Sequence, residues 1–158
     1  GYKQAVEDFG LRDDADLIEV GDWTGASGYK ACKRLLKKTK FDSIFAGNDP
    51  MAIGAMDALR ENGLAVPEDV AVIGFDNSAF CRYVRPTLSS INMPLKELGE
   101  TAMDALLSLI EKRNVGHSTI KEHVIKIPCT LIERTSTQWA GKQVAMIRRV
   151  THVPQDQR

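Results

Sequence analysis

The chain has 158 residues, 43% hydrophobic and 27% charged, with 21 basic residues against 21 acidic ones. That balance fits one globular domain, or part of a two-lobed one, with enough apolar residues for a core. A formal charge of zero excludes a strong overall pull toward nucleic acid or an anionic membrane, and no apolar run is long enough to span a bilayer.

Residues 2–9 place Tyr2, Ala5, Val6 and Phe9 on one helical face, with Gly10 as the stop. Leu17 to Val20 reads as a short strand. Gly21-Asp22-Trp23-Thr24 follows, then a helix to about Lys38 with Ala31, Cys32, Leu35 and Leu36 as its apolar stripe. Its basic residues Lys33, Arg34, Lys37 and Lys38 read as the solvated face. Ser43 to Gly47 reads as a second strand. Asn48-Asp49-Pro50 then opens a helix, with Asp49 as a good cap and Pro50 suited to the first helical position. Met51, Ala52, Ala55, Met56 and Leu59 form its buried stripe, and Gly63 ends it.

Val70 to Phe75 is the third strand; its lack of alternation suits a strand covered on both faces. Strands alternating with helices predict an α/β fold, a parallel sheet with helices on both faces and right-handed crossovers. Residues 79–87 form a loop carrying Phe80 and Tyr83. Leu88 to Asn92 is extended. Pro94 opens a long helix to about Lys112, with Leu95, Leu98, Ala102, Ala105, Leu106, Leu109 and Ile110 on its apolar side. Val124 to Arg134 is extended, and residues 136–158 have weak periodicity.

Cys32, Cys81 and Cys129 are odd in number, widely spaced and without a CxxC. They read as reduced thiols of a cytoplasmic protein, neither a disulfide framework nor a metal site. No signal peptide is recognisable, and the start at Gly1, directly in a helical pattern, reads as a fragment.

Ligands of open parallel sheets sit beyond the carboxyl ends of the strands. Three sets of residues reach that edge: Asp22 with Trp23, Asn48 with Asp49, and Asp76 with Asn77. An indole covers the C–H face of a sugar or stacks on a purine, while carboxylates and carboxamides hold hydroxyls and ring nitrogens. Each residue also has a duller role. Asp22 and Asp49 suit helix caps, Trp23 suits a plug over the sheet, and Asn48 suits loop backbone groups. Asp76 follows a buried strand with no helix to cap, so its carboxylate needs another partner. Catalysis is poorly supported. His117, His123 and His152 all lie late in the chain, no nucleotide fingerprint or nucleophile motif occurs, and Gly25-Ala-Ser-Gly28 lacks a phosphate-loop pattern. No metal or cofactor is expected.

The stretch IFAGNDPMAIGAMDALRENGLAVPEDVAVIGFDN closely resembles the effector-binding core of LacI/GalR-family bacterial transcriptional repressors. GYKQAVEDFGL, GDWTGASGYKACKRLL, RYVRPTLSSINMPLKELGETAMDALLSLI and PCTLIERTST extend the resemblance from Gly1 to about Ser136. The resemblance implies a two-lobed, periplasmic-binding-protein-like core with a small-molecule effector in the cleft. It implies that Trp23, Asn48 and Asp76 line that cleft; Asp22, Asp49 and Asn77 remain secondary candidates from their strand-end positions alone. It also implies a homodimer, with Met51, Ala55, Met56 and Tyr83 at the subunit interface.

The implied organisation is an effector domain over residues 1–136 and a tail over 137–158. Residues 1–87 and 127–136 would form the C-terminal lobe, and 88–126 the crossover and part of the N-terminal lobe. The family's DNA-binding helix-turn-helix, its hinge and most of its first lobe are expected ahead of Gly1, as is an arginine that grips the effector. DNA would be contacted only through that helix-turn-helix. Without the first lobe, the apolar side of the helix at 94–112 has no surface to pack on. The expected function is effector-controlled DNA affinity, with a sugar favoured and a purine or nucleoside as the other ligand class. The rivals are a periplasmic sugar-binding transport protein and an enzyme on a doubly wound sheet.

Overall fold

The computed structural model describes residues 1–11, 15–114 and 124–138. His117, His123, His152 and the tail beyond residue 138 lie outside the described residues. Among the described residues the α-helices and strands are α1 (Tyr2–Asp8), α2 (Gly25–Lys38), β1 (Ser43–Phe45), α3 (Asp49–Glu61), β2 (Ala71–Phe75), β3 (Ser89–Asn92), α4 (Leu95–Asn114) and β4 (Thr130–Ile132). The strands lie in the order β1-β2-β3-β4. The first three are parallel, with Phe45 level with Ile73 and Phe75 level with Ile91.

Local chemistry explains the helix boundaries. Thr24 opens α2 by accepting the Ser27 N–H at 3.1 Å. Asn48 caps α3 by accepting the Met51 N–H at 2.9 Å. This moves the expected cap one residue upstream, from Asp49 to Asn48, and places Pro50 second in the helix. At the far end Gly63 has φ +74°, and the Leu64 N–H bonds back to the Leu59 carbonyl at 3.0 Å. A left-handed residue closing a helix this way is favourable for glycine.

Helices α2 and α3 pack against each other through small residues. A methyl group added at Gly28 would collide with the Met51 backbone, and one at Gly54 with the Gly25 carbonyl. The glycines of Gly25-Ala-Ser-Gly28 therefore serve helix packing. Ala52, Ala58, Leu59, Val70, Val72, Cys81 and Leu88 are almost wholly buried and form the core. Fully burying a side chain such as Leu59 stabilises by roughly 1.5–3 kcal/mol.

The structure corrects three expectations about the elements. Residues 17–20 form no strand; a 3-10 turn covers Ala15–Leu17 and the rest joins no ladder. A cavity separates this stretch from β1, so its backbone is anchored from α2 instead, where Arg34 donates to the Val20 carbonyl at 3.1 Å. Burial does alternate along β2: Val72 and Gly74 are buried, while Ala71, Ile73 and Phe75 keep partial exposure. The extended stretch expected at 88–92 is β3, paired with β2. Finally, β4 pairs antiparallel with β3, Ser90 opposite Ile132 and Asn92 opposite Thr130, so the sheet is mixed. Among the described residues α4 makes no substantial packing contact with another element, and its apolar residues are exposed.

Candidate functional site

Because β1 and β2 run parallel, both deliver their following residues to one edge of the sheet. At the end of β1, Gly47 supports the Trp23 ring; an added Cβ there would come within 3.1 Å of Cζ3. Asn48 donates from Nδ2 to the Trp23 carbonyl at 2.8 Å. Trp23 itself has φ +70° and stands 68% exposed. A non-glycine residue held at positive φ costs of order 1–3 kcal/mol, and such strain concentrates at functional sites. The loop before α2 holds it there: Asp22 accepts the Thr24 hydroxyl at 2.6 Å and the Thr24 N–H at 3.1 Å. The Thr24 hydroxyl bond is the main cause that keeps the Asp22 carboxyl below its ordinary value.

At the end of β2, Asp76 has φ +104° and Asn77 φ +55°. The Asp76 N–H bonds the Ile91 carbonyl at 2.9 Å, and no protein donor among the described residues reaches its carboxylate. The carboxyl titrates above its ordinary value, first because the sheet edge removes part of its hydration and second because Asp49 lies nearby. The residue as a whole is exposed, so this shift reflects partial shielding, not burial.

The secondary candidates are occupied by the protein. Asp49 is wholly buried; its Oδ1 accepts the Ser90 hydroxyl and its Oδ2 the Ser78 N–H, both at 2.6 Å. It cannot reach a ligand without leaving the core. Asn77 accepts from Arg134 Nη2 at 2.6 Å and donates to Asn92 Oδ1 at 3.0 Å. Asn48 spends its side chain on the α3 cap and the Trp23 carbonyl. Among the described residues, the Trp23 indole and the Asp76 carboxylate are candidates at this edge without a side-chain partner in the protein.

Two of the interface candidates lie largely within the chain's own core. Ala55 is 3% and Met56 7% exposed, both packed in the chain's own core. The face of α3 that carries them packs mainly inward, and Met56 also lines a small surface pocket beside Ile53 and Arg60. Met51 is half-buried against Gly21 and Gly28. Tyr83 is 77% exposed, next to an exposed Phe80.

Arg134, Asn92 and Ser90 were not singled out from the sequence. They lie 57, 15 and 13 residues from Asn77, and only the folded sheet brings them together. A cavity of about 1090 Å³ runs along β1 between Leu17–Glu19 and Ser43–Phe45 and reaches Gly47 at its end. Its lining is mostly apolar and includes Cys32, whose thiol burial pushes up to about 11. None of Trp23, Asn48 or Asp76 lines it.

Residues 1–137 match the model of the periplasmic binding protein-like domain. The chain belongs to that family. Its relatives in the family are LacI-type transcriptional regulators. It is 44% identical over 112 residues to the HTH-type transcriptional regulator AscG of Escherichia coli K12, covering 70% of this chain and 33% of AscG. It is 37% identical over 137 residues to the HTH-type transcriptional repressor PurR of Erwinia tasmaniensis, covering 86% and 39%. A LacI family regulator from Enterococcus faecalis V583, solved with bound ribose, superposes with a TM-score of 0.63 at 37% identity over 74% of this chain and 42% of that one. The chain therefore spans 33–39% of the length of those two curated relatives. The family fold agrees with the sheet described above and with the expected effector-binding core. The relatives named here are transcriptional regulators. Among the described residues no helix is long and apolar enough to cross a membrane.

Proposed function

We propose that this chain is the effector-sensing part of a bacterial transcriptional regulator of the LacI type. It binds a small neutral sugar or a related metabolite at the edge formed by Trp23 and Asp76. The observation that carries this reading is the pairing of an exposed indole, held at positive φ, with an exposed carboxylate lacking any protein donor, both at the strand-end edge. The indole covers the apolar face of a sugar ring, and the carboxylate accepts hydrogen bonds from two neighbouring hydroxyls. Asn48 positions Trp23, and Asp49 and Asn77 shape the loop beneath Asp76. The ribose held by the Enterococcus faecalis relative favours a sugar.

The wider assignments rest on the relatives. The regulator is a cytoplasmic homodimer whose DNA contacts come from a helix-turn-helix, and Tyr83 with Phe80 contributes to the dimer surface. Residues 1–87 and 127–136 form one lobe of a two-lobed effector domain. The effector works by binding one arrangement of the lobes better than the other, which shifts the DNA-binding equilibrium.

The test is thermal unfolding with and without millimolar D-ribose or another neutral pentose or hexose, with hypoxanthine as the contrasting ligand. A ligand that binds only the folded state raises the midpoint. Asp76→Ala and Trp23→Ala should each abolish the sugar-induced rise while leaving the unliganded transition cooperative. A rise with hypoxanthine alone would exchange the ligand class. A sugar response unchanged in both variants would remove this edge from binding.

A further inference from the structure

Asp76 and Asn77 are consecutive non-glycine residues at positive φ, a combination that costs free energy unless the surroundings impose it. The surroundings here are specific. Asn77 N–H bonds Ser90 Oγ at 3.0 Å. Both ends of the Asn77 carboxamide are engaged: its oxygen accepts from Arg134 Nη2 at 2.6 Å and its nitrogen donates to Asn92 Oδ1 at 3.0 Å. The other arm of the same guanidinium donates to the Leu88 carbonyl at 2.6 Å, and the Arg134 N–H bonds Ser89 Oγ at 2.7 Å. The fork is thus fixed at both arms and at its own backbone. One planar group, carried just past β4, bridges the loop after β2 and the residue that precedes β3.

We infer that Arg134 and Asn77 are positioning residues for the effector site: the Arg134 fork holds the Asn77 carboxamide, and this holds Asp76 in the left-handed conformation that leaves its carboxylate free at the sheet edge. The inference rests on the proposed role of Asp76. Arg134 touches no ligand. Its geometry explains why Asp76 keeps its carboxylate unpartnered while all its neighbours are hydrogen-bonded. It also predicts that lysine fails here, because an ammonium is a single point donor and cannot reproduce two fixed arms. A second consequence concerns connectivity. Asn92 and Thr130 face each other across β3 and β4, and α4 begins three residues beyond Asn92. The Asn77–Asn92 bond ties this end of β3 to the residue next to Asp76, so a displacement at either is felt by the other.

The test is NMR of the 158-residue chain, reading the intraresidue HN–Hα cross-peaks of residues 76 and 77, which are strong only at positive φ. Wild type should show both strong. Arg134→Lys should weaken both several-fold while amide protection in β2 and β3 persists. Where Arg134→Lys fails to fold, Asn77→Ala takes its place and should weaken the residue 76 peak. In Arg134→Lys, adding Asn77→Gly should restore the residue 76 signature, since glycine adopts the left-handed region without help. Strong peaks retained in Arg134→Lys, or in Asn77→Ala, would overturn the inference, because the turn would then hold itself. D-ribose affinity measured in parallel separates the two readings. Loss in Asp76→Ala but not in Arg134→Lys sinks the positioning role alone. No change in Asp76→Ala sinks the site while leaving the NMR result to stand on its own.

Discussion

The Asp49 carboxylate accepts the Ser90 hydroxyl at 2.6 Å, and through this bond the first turn of α3 is fastened to the middle of β3. The second oxygen of Asp49 takes the Ser78 N–H at 2.6 Å, two residues beyond Asp76. Gly74 sits against the same carboxylate, where any side chain would collide. A buried acid so enclosed serves the architecture of the edge, not the ligand.

Removing that carboxylate should therefore be costly. Asp49→Ala leaves a buried hydroxyl and a backbone N–H without acceptors and opens a void, for a loss of about 2–4 kcal/mol. Ser90→Ala removes one bond to Asp49 and the acceptor for the Asn77 N–H, for about 1–2 kcal/mol. Urea denaturation of the three proteins measures both. A loss below about 1 kcal/mol for Asp49→Ala would mean that the pocket around it is hydrated.

Binding at Asp76 should depend on pH in a defined direction. A sugar hydroxyl donates to a carboxylate and gains less from a carboxyl group. The Asp76 carboxyl titrates above its ordinary value of 3.8 in the unliganded protein. Bound hydroxyls favour the ionised form and pull the value down, so protons and ligand compete. Affinity for D-ribose should be flat near neutrality. It should fall by up to about tenfold per pH unit once the pH drops below the raised value. Asp76→Asn should bind more weakly and lose this dependence. Isothermal titration at several pH values decides it; an identical pH profile in Asp76→Asn would assign the titration to another group.

How far the sequence carried this picture depended on whether the information was local. Helix α3 was legible almost to the residue, because a cap, a proline, an apolar stripe and a terminating glycine are all read within one segment. The strand-end positions of Asn48 and Asp76 were legible for the same reason. The stretch at 17–20 was not: an apolar run becomes a strand only with a ladder partner, and here a cavity separates it from β1. Asp49 illustrates a different limit. Its place before a helix suggested a cap, yet Ser78 and Ser90, 29 and 41 residues away, claim its oxygens. Ala55 and Met56 lay on a face that pattern alone could not assign to the core or to a partner. The Arg134 fork depends on three separate segments and left no mark in any one of them.

The stretch that failed as a strand has its own electrostatic anchor. Glu19 accepts from Arg34 Nε and from Lys38 Nζ, each at 2.6 Å. The bond from Lys38, and then that from Arg34, hold its carboxyl below the ordinary value of 4.5. A carboxyl depressed in the folded state adds stability above its unfolded value, and that share is lost as pH falls through the folded value. Stability should thus decline below about pH 4.5, where Glu19 begins to gain its proton in the unfolded chain. Both cations are half exposed, so screening limits the contribution to about 1 kcal/mol or less. Glu19→Gln should reduce the slope of this acid limb and also the effect of added salt. Urea midpoints from pH 3 to 7 provide the comparison, and an acid limb of equal slope in the variant would exclude Glu19 as its source.

Helix α4 presents the largest mismatch between composition and surroundings. Leu98, Met103, Leu106, Leu109 and Ile110 are 38–54% exposed, and among the described residues no element packs substantially on the helix. A twenty-residue helix without tertiary support is marginal in water, whereas α3 is locked between α2 and β2. In dilute solution the amides of α4 should therefore exchange with solvent at least about a hundredfold faster than those of α3, the behaviour of a locally opening segment. At higher concentration the exposed apolar side should drive association, seen as a rise of mass in sedimentation equilibrium. Leu106→Lys should suppress it without altering exchange in α3. Strong α4 protection in a species that sediments as a monomer would mean that the helix has found an intramolecular surface. In that case the first-lobe partner expected from the relatives is not needed to hold it.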